Sequence, residues 1–127
     1  MNPLTLEWIA KAEGDYATMQ RESQVKDNPN YDGVCFHAQQ CAEKYFKAYL
    51  QEIGAVIERT HDLVVLFQIV QSYHLFWETM PEGLSIVTDC AVAHRYPGYR
   101  SDVQIAQIAV QCCDEIRTVM RGALFPA

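Results

Sequence analysis

Gln40, Glu43, Lys44 and Lys47 lie in the stretch CFHAQQCAEKYFKAYLQEIG (35–54). At 100° per residue a helix would gather these four side chains within about 100° of one another. Glu43 precedes Lys47 by four residues, the favourable direction for an ion pair of about 0.2–0.5 kcal/mol. One reading is therefore a solvated face carrying one such pair. The other starts from Phe36, which points into the same arc. An aromatic there indicates a covered face, with a ligand or a second subunit as the cover.

A second group sits in AHRYPGYRSD (93–102). Residues 94–100 hold His94, Arg95, Tyr96, Tyr99 and Arg100 and no acid, in a chain that is acidic overall. Arginine forks bind phosphate bidentately, and tyrosine rings offer a stacking face for a base. The Pro-Gly turn would hold these groups on a stiff loop beside a helix N-terminus, which favours anions. In the competing structural reading Arg95 bonds the carbonyl end of the preceding helix while Tyr96 and Tyr99 plug the bundle end.

The third group is RTHD (59–62). His61 beside Asp62 invites a general-base role, since a carboxylate can orient an imidazole. Adjacent residues at a helix start rarely face each other, however, and no serine or cysteine is placed for activation. Capping and packing is the better account. His37 and His74 have no partner at metal-ligand spacing, and the scattered glycines form no phosphate loop. No metal, cofactor or catalytic triad is expected.

The elements that must position these groups read as helices nearly throughout. A first helix runs from about Leu4 to Arg21, with Trp8, Ile9, Ala12, Tyr16 and Met19 on one side. Glu7, Lys11, Asp15 and Thr18 fall on the other, and KDNPN (26–30) is the loop that follows. In the second helix the apolar positions cover more than half the circumference, so it is expected to be central. Gly54 suits its left-handed C-terminal position. A third, strongly apolar helix lies in HDLVVLFQIVQSY, capped by Asp62 or Thr60. Thr79 and Glu82 resemble a capping box, with Pro81 in the first turn of a fourth helix through Leu84, Ile86, Val87, Cys90 and Ala91. RYPG (95–98) ends that helix. Ser101 is expected to cap the last helix, with Gln104 completing the box. Its polar residues Gln104, Gln107, Gln111, Asp114, Glu115 and Thr118 share one narrow arc, and so broad an apolar remainder predicts a homodimer interface. The expected architecture is all-α, an antiparallel bundle of five helices with a four-helix core, in one domain over 1–127.

Composition narrows the function classes. Ten basic residues against sixteen acidic give a net charge of −6, which argues against coating nucleic acid by charge alone. The five cysteines are odd in number, lack C-x-x-C spacing and sit in apolar helical patterns. Buried free thiols in a reducing compartment are the expectation. The N-terminal residues carry acids early and no apolar run, so neither a signal peptide nor a membrane helix is expected. The predicted location is cytoplasmic.

Taken in order, W..KAEGDY (8–16), FHAQQCAEKYFKAYL (36–50), THDL (60–63), RYPG (95–98) and a final amphipathic helix resemble the HEPN domain (higher eukaryotes and prokaryotes nucleotide-binding) over essentially the full length. The resemblance implies a small helical bundle that commonly dimerises and is often encoded beside a minimal nucleotidyltransferase, as a toxin–antitoxin or nucleotide-handling pair. Many relatives are metal-independent ribonucleases using an arginine followed four to six residues later by a histidine. Here His94 is the last histidine, so none follows Arg95 or Arg100, and Arg59 stands only two positions before His61. The RYP type, associated with binding a nucleotide or nucleic-acid end, is what carries over. The leading expectation is thus a non-catalytic module binding nucleotide or RNA ends through Arg95, Tyr96, Arg100, Gln40, Lys44 and Lys47. A divergent ribonuclease using His94 or His61 with Arg95 is the enzymatic alternative. A purely structural interaction protein is the third.

Overall fold

The computed structural model describes residues 1–73, 77–93 and 96–126. It contains five helices: α1 (Pro3–Ser23), α2 (Tyr31–Glu52), α3 (Leu63–Gln71), α4 (Leu84–Ala93) and α5 (Val103–Leu124). No strand occurs among the described residues. The axis is α2, which touches each of the other four helices. Its wide apolar arc explains this: Val34, Ala38, Cys41, Tyr45, Phe46 and Leu50 are all fully buried. Phe46 and Phe67 both approach Trp77, at ring-centroid distances of 6.1 and 5.0 Å. That cluster ties α2 and α3 to the segment preceding α4 and adds about 0.5–1.5 kcal/mol per ring pair beyond area burial.

Local signals end α2 as expected. Gly54 has φ +73, the Ala55 N–H donates to Leu50 O at 2.9 Å, and the Gly54 N–H donates to Gln51 O at 3.2 Å. This paired arrangement closes a helix on a left-handed glycine. At the start of α3 the Asp62 carboxylate accepts from Val64 and Val65, while Thr60 Oγ1 accepts from the Asp62 N–H. Both cap candidates are therefore used in series.

Two other cap expectations are corrected. The α4 helix begins at Leu84, and residues 79–83 lie outside it, with a turn at 82–83. Thr79 and Glu82 thus form no capping box. Pro81 is buried ahead of the helix and is not in its first turn. The cause is Gly83, whose φ of +82 interrupts helical geometry immediately before Leu84. Ile86, placed on the apolar side by sequence, is 43% exposed. In α5 the cap is Asp102, whose carboxylate accepts from Ile105 N–H at 2.8 Å. Ser101 is instead buried and donates its N–H to Asp32 Oδ1 at 2.7 Å, pinning the start of α5 to the start of α2.

A polar clamp holds α1, α2 and α5 together. Arg117 grips Glu13 with both arms of its guanidinium, at 2.8 and 2.7 Å. Tyr45 donates to the same carboxylate at 2.5 Å and accepts from Arg121 at 3.1 Å. The hydrogen bonds from Arg117 do most to hold the Glu13 carboxyl below its ordinary range, overcoming burial. Alongside, Tyr16 donates to Asp114 at 2.9 Å, so Asp114 leaves the wet arc of α5. The rest of that arc, Gln104, Gln107, Gln111, Glu115 and Thr118, is exposed. Much of the apolar remainder is covered within the single chain: Ala109, Cys112, Ile116 and Met120 are buried, and Ile105, Val110 and Val119 pack partly against the core. All five cysteines are buried and unbridged. Burial pushes the Cys112 thiol up to about 12, which leaves it inert at neutral pH.

Gly83 offers a direct check of the packing between α4 and α5. A Cβ there would lie 2.4 Å from Ile108 Cγ2, on top of the positive φ. Gly83→Ala is expected to destabilise the protein by about 1–3 kcal/mol in denaturant unfolding. Ile108→Ala in the same chain should remove the clash but not the backbone strain, giving partial relief against the Ile108→Ala parent.

Candidate functional site

At the middle of α2 a carboxylate is buried with three donors around it. Glu43 accepts from Gln39 Nε2 at 3.0 Å, from Lys47 Nζ at 3.0 Å and from His61 Nδ1 at 2.9 Å. Gln39 and Lys47 lie one turn to either side on the same helical row, so i, i+4 geometry alone supplies two of the donors. The third comes from the segment leading into α3, where Gln39 Nε2 also holds the His61 carbonyl at 2.9 Å. Burial pushes the Glu43 carboxyl up, but the hydrogen bonds from Gln39, His61 and Lys47, with the Lys47 charge, outweigh it and bring it below the ordinary value.

The ionised Glu43 can only accept, so the His61 Nδ1 carries the proton of that bond. In the neutral ring Nε2 is then the free lone pair. The imidazole is 76% exposed above a carboxylate that is 6% exposed, an arrangement that fixes the tautomer and presents Nε2 outward. Around it lies a cleft of about 90 Å³ lined by Phe36, Gln39, Gln40, His61, Thr88, Ala91 and Val92. Helices α2 and α4 form its walls, and the approach to α3 supplies the histidine.

The residues singled out by sequence fall into separate places. Gln40 lines this cleft and donates to Gln39 Oε1 at 2.8 Å. Lys47 is buried against Glu43 and lies 5.9 Å from the centroid of the Trp8 ring. Lys44 turns to α1 and pairs with Asp15 at 2.5 Å. Arg100 lines a different, polar cavity of about 300 Å³ with Asn28, Asn30, Asp32 and Ser101. From Asp32 to Gln40 is eight residues of helix, about 12 Å, so Arg100 and Gln40 occupy distinct ends of the surface. Tyr96 is 64% exposed, whereas Tyr99 packs partly against the core. Arg95, His94 and His74 lie outside the described residues.

The polar arc of α2 is accordingly not a solvated face: the Glu43–Lys47 pair exists, but buried. His61 finds its carboxylate on α2, eighteen positions upstream, while the adjacent Asp62 caps α3. His37, without a ligand-spaced partner in sequence, bonds Asp15 across helices at 2.8 Å. Periodicity puts Asp15 opposite the apolar side of α1, yet its side chain is only 12% exposed and holds both His37 and Lys44. Gln39 and Thr88 were missed. A row of Gln39, Glu43 and Lys47 at i, i+4, i+8 was the available signal for Gln39. Thr88 had none, because its role depends on α4 meeting α3: it accepts from Leu63 N–H and donates to Leu84 O, both at 3.1 Å.

These features define a class, an all-α bundle around a central helix with a carboxylate-oriented histidine at a small cleft. The HEPN domain family profile matches residues 5–123, and the chain belongs to that family. No curated protein and no solved structure matches the chain. Family membership supports a nucleotide- or RNA-related module. No described helix is long and apolar enough to cross a membrane.

Removing the central carboxylate tests the network. Glu43→Leu leaves the Lys47 ammonium buried without its counter-charge and is expected to cost about 3–5 kcal/mol in chemical unfolding. Glu43→Gln provides the pH test. A carboxyl held lower in the folded state contributes stability above its unfolded value, here near 4.5, and loses it as pH falls through the folded value. The stability gap between wild type and Glu43→Gln should therefore be widest above pH 4.5 and narrow below it. A gap that stays constant to pH 2 would contradict the assignment.

Proposed function

We propose that the chain is a binding module for a nucleotide or an RNA end, acting with a minimal nucleotidyltransferase as a toxin–antitoxin-like pair. Membership of the HEPN family supports a nucleotide-related role. The observation that carries the binding reading is the cleft at His61, where a buried ion network holds polar side chains in fixed orientation at an opening in the surface. Exposed Arg100 at the head of α2 supplies a phosphate contact, and Arg95 and Tyr96 of the RYP segment supply the fork and stacking ring of the same proposal. Lys44 and Lys47 are held by Asp15 and Glu43. Paired in this way they add no net charge at the site, and direct phosphate contact requires exchange of those partners. Homodimerisation belongs to the proposal too, through the uncharged groove of about 290 Å³ beside Val103, Gln107 and Gln111.

A second reading has an observation of its own. An exposed imidazole whose Nδ1 is held by a carboxylate is suited to take a proton from a ribose 2′-hydroxyl. His61 could thus serve a divergent metal-independent ribonuclease, with Arg95 at the phosphate.

Titration of isotope-labelled protein with AMP, ATP and a short single-stranded RNA in EDTA separates these readings. Saturable shifts on Gln40, His61 and the 95–100 segment are expected, with affinity falling as salt rises and on Arg95→Ala or Arg100→Ala. Silence at millimolar ligand would defeat the binding reading and leave assembly as the role. RNA cleavage that disappears in His61→Ala would favour the enzyme, and cleavage that persists there would exclude His61 from it. Light scattering reports the dimer directly.

A further inference from the structure

The hydrogen-bond inventory of the cleft goes further than the presence of a ligand, because most of its polar atoms are already committed. Gln39 spends both amide hydrogens, on Glu43 Oε1 and on the His61 carbonyl. Its Oε1 accepts from Gln40. Thr88 uses its hydroxyl in both directions within the fold. Among the described side chains, what remains is Gln40 Oε1, one Gln40 N–H and, in the neutral ring, His61 Nε2.

The orientation of Gln40 is set by this chain. Gln39 faces two acceptors with its nitrogen, so its oxygen must face Gln40, which then turns its own nitrogen inward and its oxygen outward. Glu43 fixes the imidazole in the same way. Among the described residues, the side chains of the cleft therefore offer two acceptors and a single donor, whereas the oxygens of a phosphate need donors. The cleft suits a planar group that brings hydrogens. The apolar side of the lining, Phe36, Ala91 and Val92, fits the faces of a ring, and a volume of about 90 Å³ admits a ring edge with sugar and phosphate left outside.

We infer that the cleft at Gln40 and His61 is a nucleobase-edge site that selects bases carrying an exocyclic amine over those carrying a carbonyl in its place. An amine supplies two hydrogens from one atom, one for each acceptor, while the neighbouring ring nitrogen accepts from Gln40 in the bidentate manner glutamine uses with adenine. A carbonyl at the same position faces Gln40 Oε1 or His61 Nε2 oxygen-to-lone-pair and leaves an acceptor unpaired. The inference rests on the nucleotide-binding reading and specifies which part of the nucleotide enters where.

Calorimetric titration of the full chain at pH 8.5 in EDTA, where an imidazole is ordinarily neutral, tests it with two matched pairs. AMP and IMP differ by an exocyclic amine against a carbonyl, with the neighbouring ring nitrogen protonated in IMP, and CMP and UMP differ in the same way. AMP should bind at least about tenfold tighter than IMP, and CMP than UMP. The discrimination should vanish in Gln40→Leu and in His61→Leu, both at surface-accessible positions, with folding checked by circular dichroism. Equal binding within both pairs would overturn the base-edge site while leaving the nucleotide-binding module standing. Discrimination that survives both substitutions would place the selective site elsewhere. No binding of any of the four would defeat the nucleotide reading itself.

Discussion

A single buried carboxylate on the central helix organises this molecule's working surface. Glu43 sits where α2 is covered by neighbours, and an ionised acid there is tolerable only with several donors. Meeting that requirement fixes three side chains at once. Lys47 is drawn beneath the surface, Gln39 is oriented, and His61 is pulled over α2. Placement of His61 in turn sets the entry into α3, because the carbonyl of the same residue is held by Gln39. The cleft is a product of charge satisfaction as much as of helix packing.

A second clamp holds Glu13, whose side chain is 34% exposed, at the other side of α2. There the carboxylate sits between α1 and α5 and is matched by arginine, whose planar fork uses both oxygens. Between the two networks, α2 carries polar anchors toward α1 and α5 on one flank and toward α3 on the other. Its large apolar arc supplies the attraction, and the anchors supply the register. Such a division explains how a chain with half its residues hydrophobic keeps one arrangement of five helices.

Helix identity was legible in the sequence because it depends on local periodicity. The presence of α1 and α2, the left-handed Gly54 and the Asp62 cap all follow from residues within a few positions of one another, while α2 starts at Tyr31, ahead of the stretch that marked it. The misread caps of α4 and α5 show the limit. Thr79 and Glu82 have the right spacing, but whether a helix starts there depends on Gly83 meeting Ile108 of α5. Ser101 has the right chemistry, but its N–H goes to Asp32 on α2 and its hydroxyl to Tyr99, and Asp102 next door caps instead. The site was legible only as a set of residue types. Glu43, Lys47 and His61 were all noticed, yet the bond joining His61 to Glu43 spans eighteen residues and two elements, and proximity in sequence pointed to Asp62.

The distribution of sulfur has a consequence for how opening of the bundle can be watched. Cys35 and Cys90 are the thiols of the α2–α4 seam, and Cys41 and Cys113 those of the α2–α5 seam, all shut from solvent. Alkylating reagents reach such groups only when a seam parts, so each pair is a built-in clock for its own interface. Labelling of Cys90 ahead of Cys113 would mean that α4, one wall of the cleft, swings free while α1, α2 and α5 remain assembled. Simultaneous labelling would mean that the cleft exists only as long as the whole bundle does.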